Sequence, residues 1–159
     1  EGAHLQDARE LFRRMVFNIL MDNTDDHEKN HSLLVVAPFL HGRFRLAPAY
    51  DLLPTHSGQG YQEFICGKQG RDSTLDNAMS ECDAFGLTPA EAASEVVRVV
   101  DVVNTWKLHF TKMGVSARDI ESLARQIDGD YLLQQRIDFE PRSFVVPTGK
   151  RQRKSPFKN

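Results

Sequence analysis

The sequence is most informative in a polar segment near the N-terminus, which reads Asn23-Thr24-Asp25-Asp26-His27-Glu28-Lys29-Asn30. Asp25 supplies a carboxylate and Asn30 an amide on what we expect to be one short loop. A second carboxylate, Asp51, follows two predicted strands whose hairpin would return the chain to Asn30. Because Mg²⁺ prefers oxygen ligands and usually takes one or two from a protein, Asn30 and Asp51 are the predicted metal ligands.

Asp25 and Asn30 also have the D-x-x-x-x-N spacing of a kinase catalytic loop. Phosphoryl transfer depends on positioning and charge neutralisation, and it needs a carboxylate that takes the proton of the acceptor hydroxyl. We expect Asp25 to be that base. For this pair alone, the alternative is a solvated Asp/Asn turn that arose by chance. The apolar helix before the loop, the hairpin after it and the position of Asp51 favour the catalytic interpretation.

The segments on either side of the loop have the patterns of a helix and a hairpin. Apolar residues recur on one helical face before the loop, so residues about 6–21 are predicted to form an amphipathic helix. Short β-favouring runs at Ser32–Val36 and Arg43–Leu46 flank a His41-Gly42 turn. Tyr61–Cys66 is a further candidate strand.

The second half of the chain has the pattern of successive helices, which we expect to form the scaffold beneath the site. Their predicted N-terminal signals are Thr74, the capping box Thr88-Pro89-Ala90-Glu91, and Ser116. The first predicted helix stops at Gly86, the second passes through Trp106 to Gly114, and the third runs from about Ala117 to Gln126 or on to Ile137. Trp106 is expected to be a core residue.

Three phrases of the sequence carry a family resemblance, namely Asn18-Ile19-Leu20, residues 23–30, and Leu46-Ala47-Pro48-Ala49-Tyr50-Asp51-Leu52-Leu53-Pro54. Together they closely resemble the HipA-like serine/threonine kinases, which are bacterial toxins of toxin–antitoxin modules. A weaker resemblance continues to about Leu123. It implies a mainly α fold with a small β-hairpin, the C-terminal lobe of a protein-kinase-like structure related to the phosphatidylinositol kinases.

The resemblance also implies how the chain is organised. Residues 1–140 would be the kinase C-lobe-like helical domain, with a catalytic loop at 23–31 and a metal-binding segment at 47–54. Residues 141–159 would be a basic, flexible tail.

Roles for individual residues follow from the same resemblance. Asp25 is similar in position to the catalytic base, and Asn30 and Asp51 to the residues that bind Mg²⁺ and ATP. His27 and Lys29 lie in the same motif and are candidate catalytic residues. Lys29 would contact a phosphate of ATP; the alternative is a surface lysine. The implied acceptor is a Ser or Thr hydroxyl of a protein substrate.

One departure from the family pattern affects this interpretation. Kinases hold the nucleotide phosphates with a glycine-rich loop and a strand lysine, and neither motif precedes Asp25. The chain also begins at Glu1 rather than at Met, which would fit a fragment or a processed product. We therefore expect this chain to be inactive unless the nucleotide-clamping half comes from elsewhere. The second hypothesis is a non-catalytic kinase remnant that binds an antitoxin-like DNA-binding protein.

A competing motif overlaps the same residues, because His27-Glu28-Lys29-Asn30-His31 spells H-E-x-x-H. On an α-helix, two histidines at this spacing bind zinc and the glutamate activates water, as in zinc metallopeptidases. The short β-favouring run after His31 and the poor helix propensity of Asn30 argue against such a helix. A third ligand would have to come from His41 or His56.

Composition describes an ordinary soluble domain. The chain has 159 residues, a formal net charge of −2 and 40% hydrophobic residues, which suits one domain with a proper core. No apolar run approaches the length of a membrane span, and no nucleic-acid footprint is expected beyond weak binding by the basic segment 150–158. Cys66 and Cys82 are too few for a disulfide framework, so we expect a cytoplasmic protein.

Overall fold

The computed structural model describes residues 2–37, 43–55 and 57–145, and within them the chain is mainly α-helical with one small hairpin. The helices are α1 (Gly2–Leu20), α2 (Leu75–Ser80), α3 (Pro89–Val103), α4 (Trp106–Lys112), α5 (Ala117–Ile127) and α6 (Asp130–Asp138). The strands are β1 (Leu33–Ala37) and β2 (Arg43–Leu46). Short 3₁₀ turns lie at Glu28–Asn30, Cys82–Phe85 and Pro141–Phe144. The predicted mainly α class with a β-hairpin is therefore confirmed.

Helix α1 is the central element of the core. Its apolar stripe is fully buried at Phe12, Val16, Ile19 and Leu20, as the periodicity predicts. These side chains pack in one cluster with α2 and α3, and Phe12 meets Phe85 edge to face at 5.5 Å between ring centroids. The helix begins earlier than predicted, although its first turn is exposed.

The hairpin has the predicted pairing, with Leu33 opposite Leu46 and Val35 opposite Phe44 in an antiparallel register. It is anchored to α1 by Asp7, whose carboxylate accepts hydrogen bonds of 3.1 Å from the Arg45 side chain and from the Leu46 amide. The predicted His41-Gly42 turn lies outside the described residues, as do His56 and segment 146–159 of the predicted tail.

The three predicted helix starts in the second half are confirmed. Thr74 and Ser116 accept hydrogen bonds from the backbone amides three residues on, and Thr88 and Glu91 form both bonds of the capping box. Gly86 and Gly114 follow helical segments with φ of +67° and +83°, the left-handed conformation typical of glycine after a helix.

Two predicted helices are shorter than expected. The helix expected to reach Gly114 ends at Val103, and α4 begins at Trp106. Between them, the Thr105 hydroxyl donates to the carbonyl of Val102 at 2.8 Å, a local bond that competes with helix geometry. The break lets Trp106 enter the core, where its Nε1 donates to the carboxylate of Asp128 at 3.2 Å.

Helix α2 ends at Ser80, whose hydroxyl donates to the carbonyl of Asn77 at 2.6 Å. A 3₁₀ turn takes over from there to Gly86. The third predicted helix ends at Ile127, and α6 follows as a separate helix rather than as its continuation.

The predicted strand at 61–66 is wrong. Within that segment only Tyr61 forms a bridge, with Asp72, so the segment is an ordered loop. It is held to the chain that follows by two backbone bonds of 2.8 Å, from the Gln62 amide to the Arg71 carbonyl and from the Cys66 amide to the Gly70 carbonyl. Bonds this widely spaced do not form the continuous ladder of a strand.

Among the residues that the structure describes, no helix combines the length and the apolar character that crossing a membrane requires. Cys66 and Cys82 are both buried and free. Burial raises the pKa of the Cys66 thiol to about 11, so this side chain is a core residue and not a reactive thiolate.

One buried carboxylate joins α1 to α3. Glu95 is 3% exposed, and its Oε2 accepts a hydrogen bond of 2.7 Å from Arg13 Nε, with Arg9 and Arg98 close by. Burial by itself would raise the pKa of Glu95, but the hydrogen bond and charge of Arg13 and the charges of Arg98 and Arg9 hold that pKa below its usual value. The ionised form therefore stabilises the packing of the two helices.

We expect Glu95→Gln to lower the free energy of unfolding at pH 7 by about 2 kcal/mol, because it removes the buried carboxylate that Arg9, Arg13 and Arg98 face and leaves Arg13, among the described residues, paired with Glu10 alone. A depressed pKa in the folded state stabilises the protein above the unfolded pKa of about 4.3, and this stability is lost as pH falls through the folded value. The difference between the variant and the parent should therefore shrink on acidification, as measured by urea unfolding at several pH values.

Glu121→Gln, at an exposed position on α5, is the matched control and should change little. An equal effect of both substitutions would contradict the assignment.

Candidate functional site

The C-terminal end of α1 runs into a polar turn that is buried rather than solvated. Asp22, Asn23, Thr24 and Asp26 are each at most 7% exposed. Asp22 has φ of +54°, an uncommon conformation for a residue with a side chain. Its carbonyl accepts hydrogen bonds from the amide and the hydroxyl of Thr55, at 3.0 Å and 2.7 Å. The turn is therefore held against the segment that follows the hairpin.

The side chain of Asn23 makes the next connection to that segment. Its Nδ2 donates to Asn18 Oδ1 at 3.1 Å and to the backbone carbonyl of Asp51 at 3.4 Å. Its backbone amide also donates to the carbonyl of Asn18 at 2.9 Å. One buried amide thus ties helix α1, the polar loop and Asp51 together.

Tyr50 makes a second connection at the other end of the loop. Its hydroxyl donates to the carbonyl of Lys29 at 2.7 Å and lies 2.6 Å from the hydroxyl of Ser32. Asp51 is therefore held between two tethers, one to Asn23 and one, through its neighbour Tyr50, to Lys29. The loop 23–31 and the segment that contains Asp51 are brought together, as the sequence predicts for the hairpin return.

Asn30 closes the loop on itself. It is 6% exposed, and its Nδ2 donates to the backbone carbonyl of Asp25 at 3.2 Å. This bond fixes which end of the amide is the oxygen, and Oδ1 accepts no hydrogen bond from any residue in the ranges 2–37, 43–55 and 57–145. The side chain of Asp25 is exposed at the surface of the loop. The predicted base is accessible, and the predicted amide ligand is rigidly placed.

The other predicted site residues are less closely tied to this arrangement. The side chain of Lys29 is exposed, and only its backbone carbonyl contacts the Asp51 segment. His27 is partly exposed, and its buried Nδ1 has no hydrogen-bond partner in the described part of the chain. Asp51 is exposed and has φ of +57°, a backbone conformation that is uncommon for a residue with a side chain.

The donor set suits a hard cation that takes few protein ligands. Asn30 Oδ1 is left free by the Nδ2 bond to Asp25, and the Asp51 carboxylate is exposed without a hydrogen-bond donor among the described residues. Amide and carboxylate oxygens are the ligands that Mg²⁺ uses, with water completing its octahedron. The chemistry of each side chain therefore suits the predicted metal, and the two stay predicted ligands.

The zinc-peptidase alternative is not supported, because His27 and His31 do not share a face of an α-helix. Glu28–Asn30 is a single 3₁₀ turn, and the residues on both sides of it are extended. His31 Nε2 lies 2.9 Å from Asp26 Oδ1, which explains this histidine as a structural partner of the buried carboxylate. Within the described ranges no three His, Cys, Asp or Glu side chains are grouped to hold a metal ion. His41 and His56 lie outside those ranges.

Sequence reasoning assigned no role to Asn18, Asn23 or Tyr50, although they make the connections of the site. Asn18 carries the one clear signal. It follows the apolar residues Leu11 and Met15 at the i, i+4, i+7 spacing of a helix face, so the pattern places a polar side chain where an apolar one is usual. A buried amide needs partners, and the following Asn23 is near enough in sequence to supply one.

Comparison with known proteins gives one match. A family model described as HipA-like C-terminal domain matches residues 1–106. This range includes α1, the polar loop, the hairpin, Asp51 and the whole of α3. No curated protein and no solved structure is significantly similar to the chain.

We expect Asn23→Ala to lower the free energy of unfolding by about 2 kcal/mol, since it leaves Asn18 Oδ1 and the Asp51 carbonyl without their donor. Hydrogen exchange should also speed up in residues 47–55, because a tether of that segment is lost. Asn104→Ala, at an exposed position after α3, is the control and should do neither. Unchanged exchange in 47–55 would show that the Asn23 side chain does not hold that segment.

Proposed function

The chain belongs to the family of HipA-like C-terminal domains, and from this premise we propose that it is the catalytic C-terminal lobe of a serine/threonine kinase. The proposal includes a protein-kinase-like fold for the helical domain. One observation carries it: two hydrogen-bonded tethers, from Asn23 to Asp51 and from Tyr50 to Lys29, hold the Asp51 segment beside the loop of Asp25 and Asn30. Phosphoryl transfer needs this proximity of a base and metal-binding oxygens.

Each proposed role follows from the surroundings of the side chain. Asp25 is exposed and can accept the proton of a Ser or Thr hydroxyl of a protein substrate. Asn30 and Asp51 present oxygens for Mg²⁺, which when bound supplies positive charge to the phosphates of ATP. Lys29 is exposed at the edge of the same loop, where its ammonium group can reach a phosphate. His27 is kept as a candidate for positioning the loop.

The exposed apolar face of the hairpin is a further reason to propose a nucleotide site beside the loop of Asp25 and Asn30. Leu33, Val35 and Phe44 share one face of the two strands and remain exposed, although such side chains are usually covered. The hairpin starts just after Ser32, whose hydroxyl lies 2.6 Å from that of Tyr50, the neighbour of Asp51 in the chain. It offers a surface for a flat base such as adenine.

The phosphate-binding half of the site is proposed to come from elsewhere. A glycine-rich loop and a strand lysine are not found ahead of Asp25 in the sequence given. We therefore propose that the chain by itself binds Mg·ATP weakly and transfers no phosphate. The biological setting that the family suggests is a toxin of a bacterial toxin–antitoxin module, acting in the cytoplasm, where buried free thiols such as Cys66 persist.

The second candidate function is a non-catalytic module that binds an antitoxin-like DNA-binding protein. It is favoured by apolar side chains at Val102, Leu108 and Met113, which are 63%, 57% and 70% exposed around the junction of α3 and α4. Exposed apolar side chains on neighbouring helices are candidates for contact with a partner protein. Phosphate transfer separates the two functions, because Asn30 and Asp51 are present in both cases but only a catalytic lobe transfers phosphate once the glycine-rich half is supplied.

The metal ligands are tested by thermal unfolding with ATP, in the presence of either Mg²⁺ or EDTA. We expect Mg·ATP at concentrations well above its Kd to raise the Tm by several degrees, roughly as mass action requires, and EDTA to abolish the rise. Asn30→Ala and Asp51→Asn should each remove most of the stabilisation, and Asp101→Asn, an exposed carboxylate on α3, should keep it. Full stabilisation in both site variants would exclude them as metal ligands.

The base is tested in the presence of a polypeptide that supplies the glycine-rich half, with transfer of ³²P from ATP to a Ser/Thr protein substrate as the readout. We expect Asp25→Asn to lower the rate by about 10²–10⁴-fold, because proton removal from the hydroxyl is lost. Its Tm should not fall, since the Asp25 carboxylate is exposed and the Asn30 bond uses the backbone carbonyl. Undiminished transfer would refute the role of Asp25, and Asp76→Asn on α2 is the control.

A further inference from the structure

A cavity of about 330 Å³ lies behind the polar loop, between α1 and the ordered loop 62–66. Its apolar wall is formed by Leu11, Met15, Phe64 and Ile65. An apolar cavity of about 150 Å³ is enough to hold benzene, so this space has room for a substituted ring. We propose that the cavity binds a small uncharged molecule with an aromatic or branched aliphatic body and one group that both donates and accepts hydrogen bonds.

Asn18 supplies the donor. Its side chain lines the cavity and is 1% exposed. Its Oδ1 is occupied by the bond from Asn23, whereas its Nδ2 has no partner anywhere in the described residues. A buried N–H without an acceptor is costly, and a ligand oxygen in the cavity would remove that cost.

His31 supplies the acceptor. Its Nε2 lies 2.9 Å from Asp26 Oδ1, and a carboxylate can only accept, so Nε2 carries the hydrogen. In the neutral ring Nδ1 is then an acceptor, and this buried atom has no partner within the described ranges either. Asn18 and His31 line the same cavity, so a ligand with a hydroxyl or a primary amide has the chemistry that each of them lacks.

Two acidic residues of the lining argue against an anionic ligand. Asp26 and Glu28 contribute carboxylates to the wall beside the apolar side chains. A ligand carboxylate would meet like charge and would lose its hydration against Phe64 and Ile65. The chemistry that fits is therefore a neutral alcohol, phenol or amide.

This cavity is separate from the proposed nucleotide site but is linked to it. Asn18 Nδ2 donates to none of the described residues, yet Asn18 Oδ1 accepts from Asn23, which in turn donates to the Asp51 carbonyl. A ligand that orders the Asn18 amide would therefore stabilise the tether of the 47–54 segment. The binding itself does not depend on the kinase proposal.

The probe for the test is 4-methylphenol, with toluene and 4-methylbenzoate as matched compounds that lack the hydroxyl or carry a negative charge. Binding to the full chain is measured by two-dimensional NMR titration of backbone amides. We expect saturable shifts around residues 15–18 and 62–66, with 4-methylphenol binding about fivefold or more tighter than either matched compound, as one buried hydrogen bond allows. Absence of saturable binding, or equal affinity for toluene and 4-methylphenol, would overturn the proposal.

Two variants connect the binding to this cavity. Ile65→Ala removes apolar wall at a side chain that is 72% exposed, so it should weaken 4-methylphenol binding about fivefold without unfolding the chain. Ile137→Ala on α6 is its control, with a side chain 65% exposed that is not part of the wall, and it should leave the affinity unchanged. Asn18→Leu should abolish the preference for 4-methylphenol over toluene. If Asn18→Leu does not fold, the comparison of Ile65→Ala with Ile137→Ala is the test. Equal affinity of these two variants for 4-methylphenol would refute the site.

Discussion

The buried amide of Asn23 is the point where helix α1, the polar loop and the segment after the hairpin meet. It is 2% exposed and donates to both the Asn18 side chain and the Asp51 carbonyl. Inside a protein, a polar group that loses its partner keeps the full cost of its desolvation. The three segments therefore cannot separate without leaving amide or carbonyl groups unpaired, and the position of Asp51 follows from this constraint.

The rest of the domain gives this polar turn a rigid base. The N-terminal part of α1 is held to the hairpin by Asp7, and its middle is held to α3 by Glu95 and by the packing of Phe12 and Val16. Sites mounted on packed elements keep their geometry better than sites on free loops. Here the exposed groups, Asp25 and Asp51, lie on backbone that buried groups hold in place. An accessible carboxylate on such a backbone is what chemistry on a protein hydroxyl requires.

Much of the architecture could be predicted from short patterns, and the errors have local physical causes. The capping signals at Thr74, Thr88 and Ser116 marked the helix starts correctly because they depend on a few neighbouring residues. Helix ends were predicted less well, since hydroxyl groups such as that of Thr105 bond back to the chain and Trp106 gains a buried position by the break. The segment 61–66 resembles a strand in composition, but only its Gln62 and Cys66 amides find partners in the facing chain, so no strand ladder forms.

For the site, residue spacing predicted the candidate base and the two candidate metal ligands, and the family match agrees with the resemblance of these motifs. Side-chain chemistry and periodicity act over a few residues, so they sufficed for the fold class and for nominating Asp25, Asn30 and Asp51. Long-range contacts settled the rest. They placed Tyr50 on Lys29 and Asn23 on Asp51, and they formed a cavity that Asn18 lines. Such pairings join residues distant in the chain, and no local pattern specifies which buried donor will meet which acceptor.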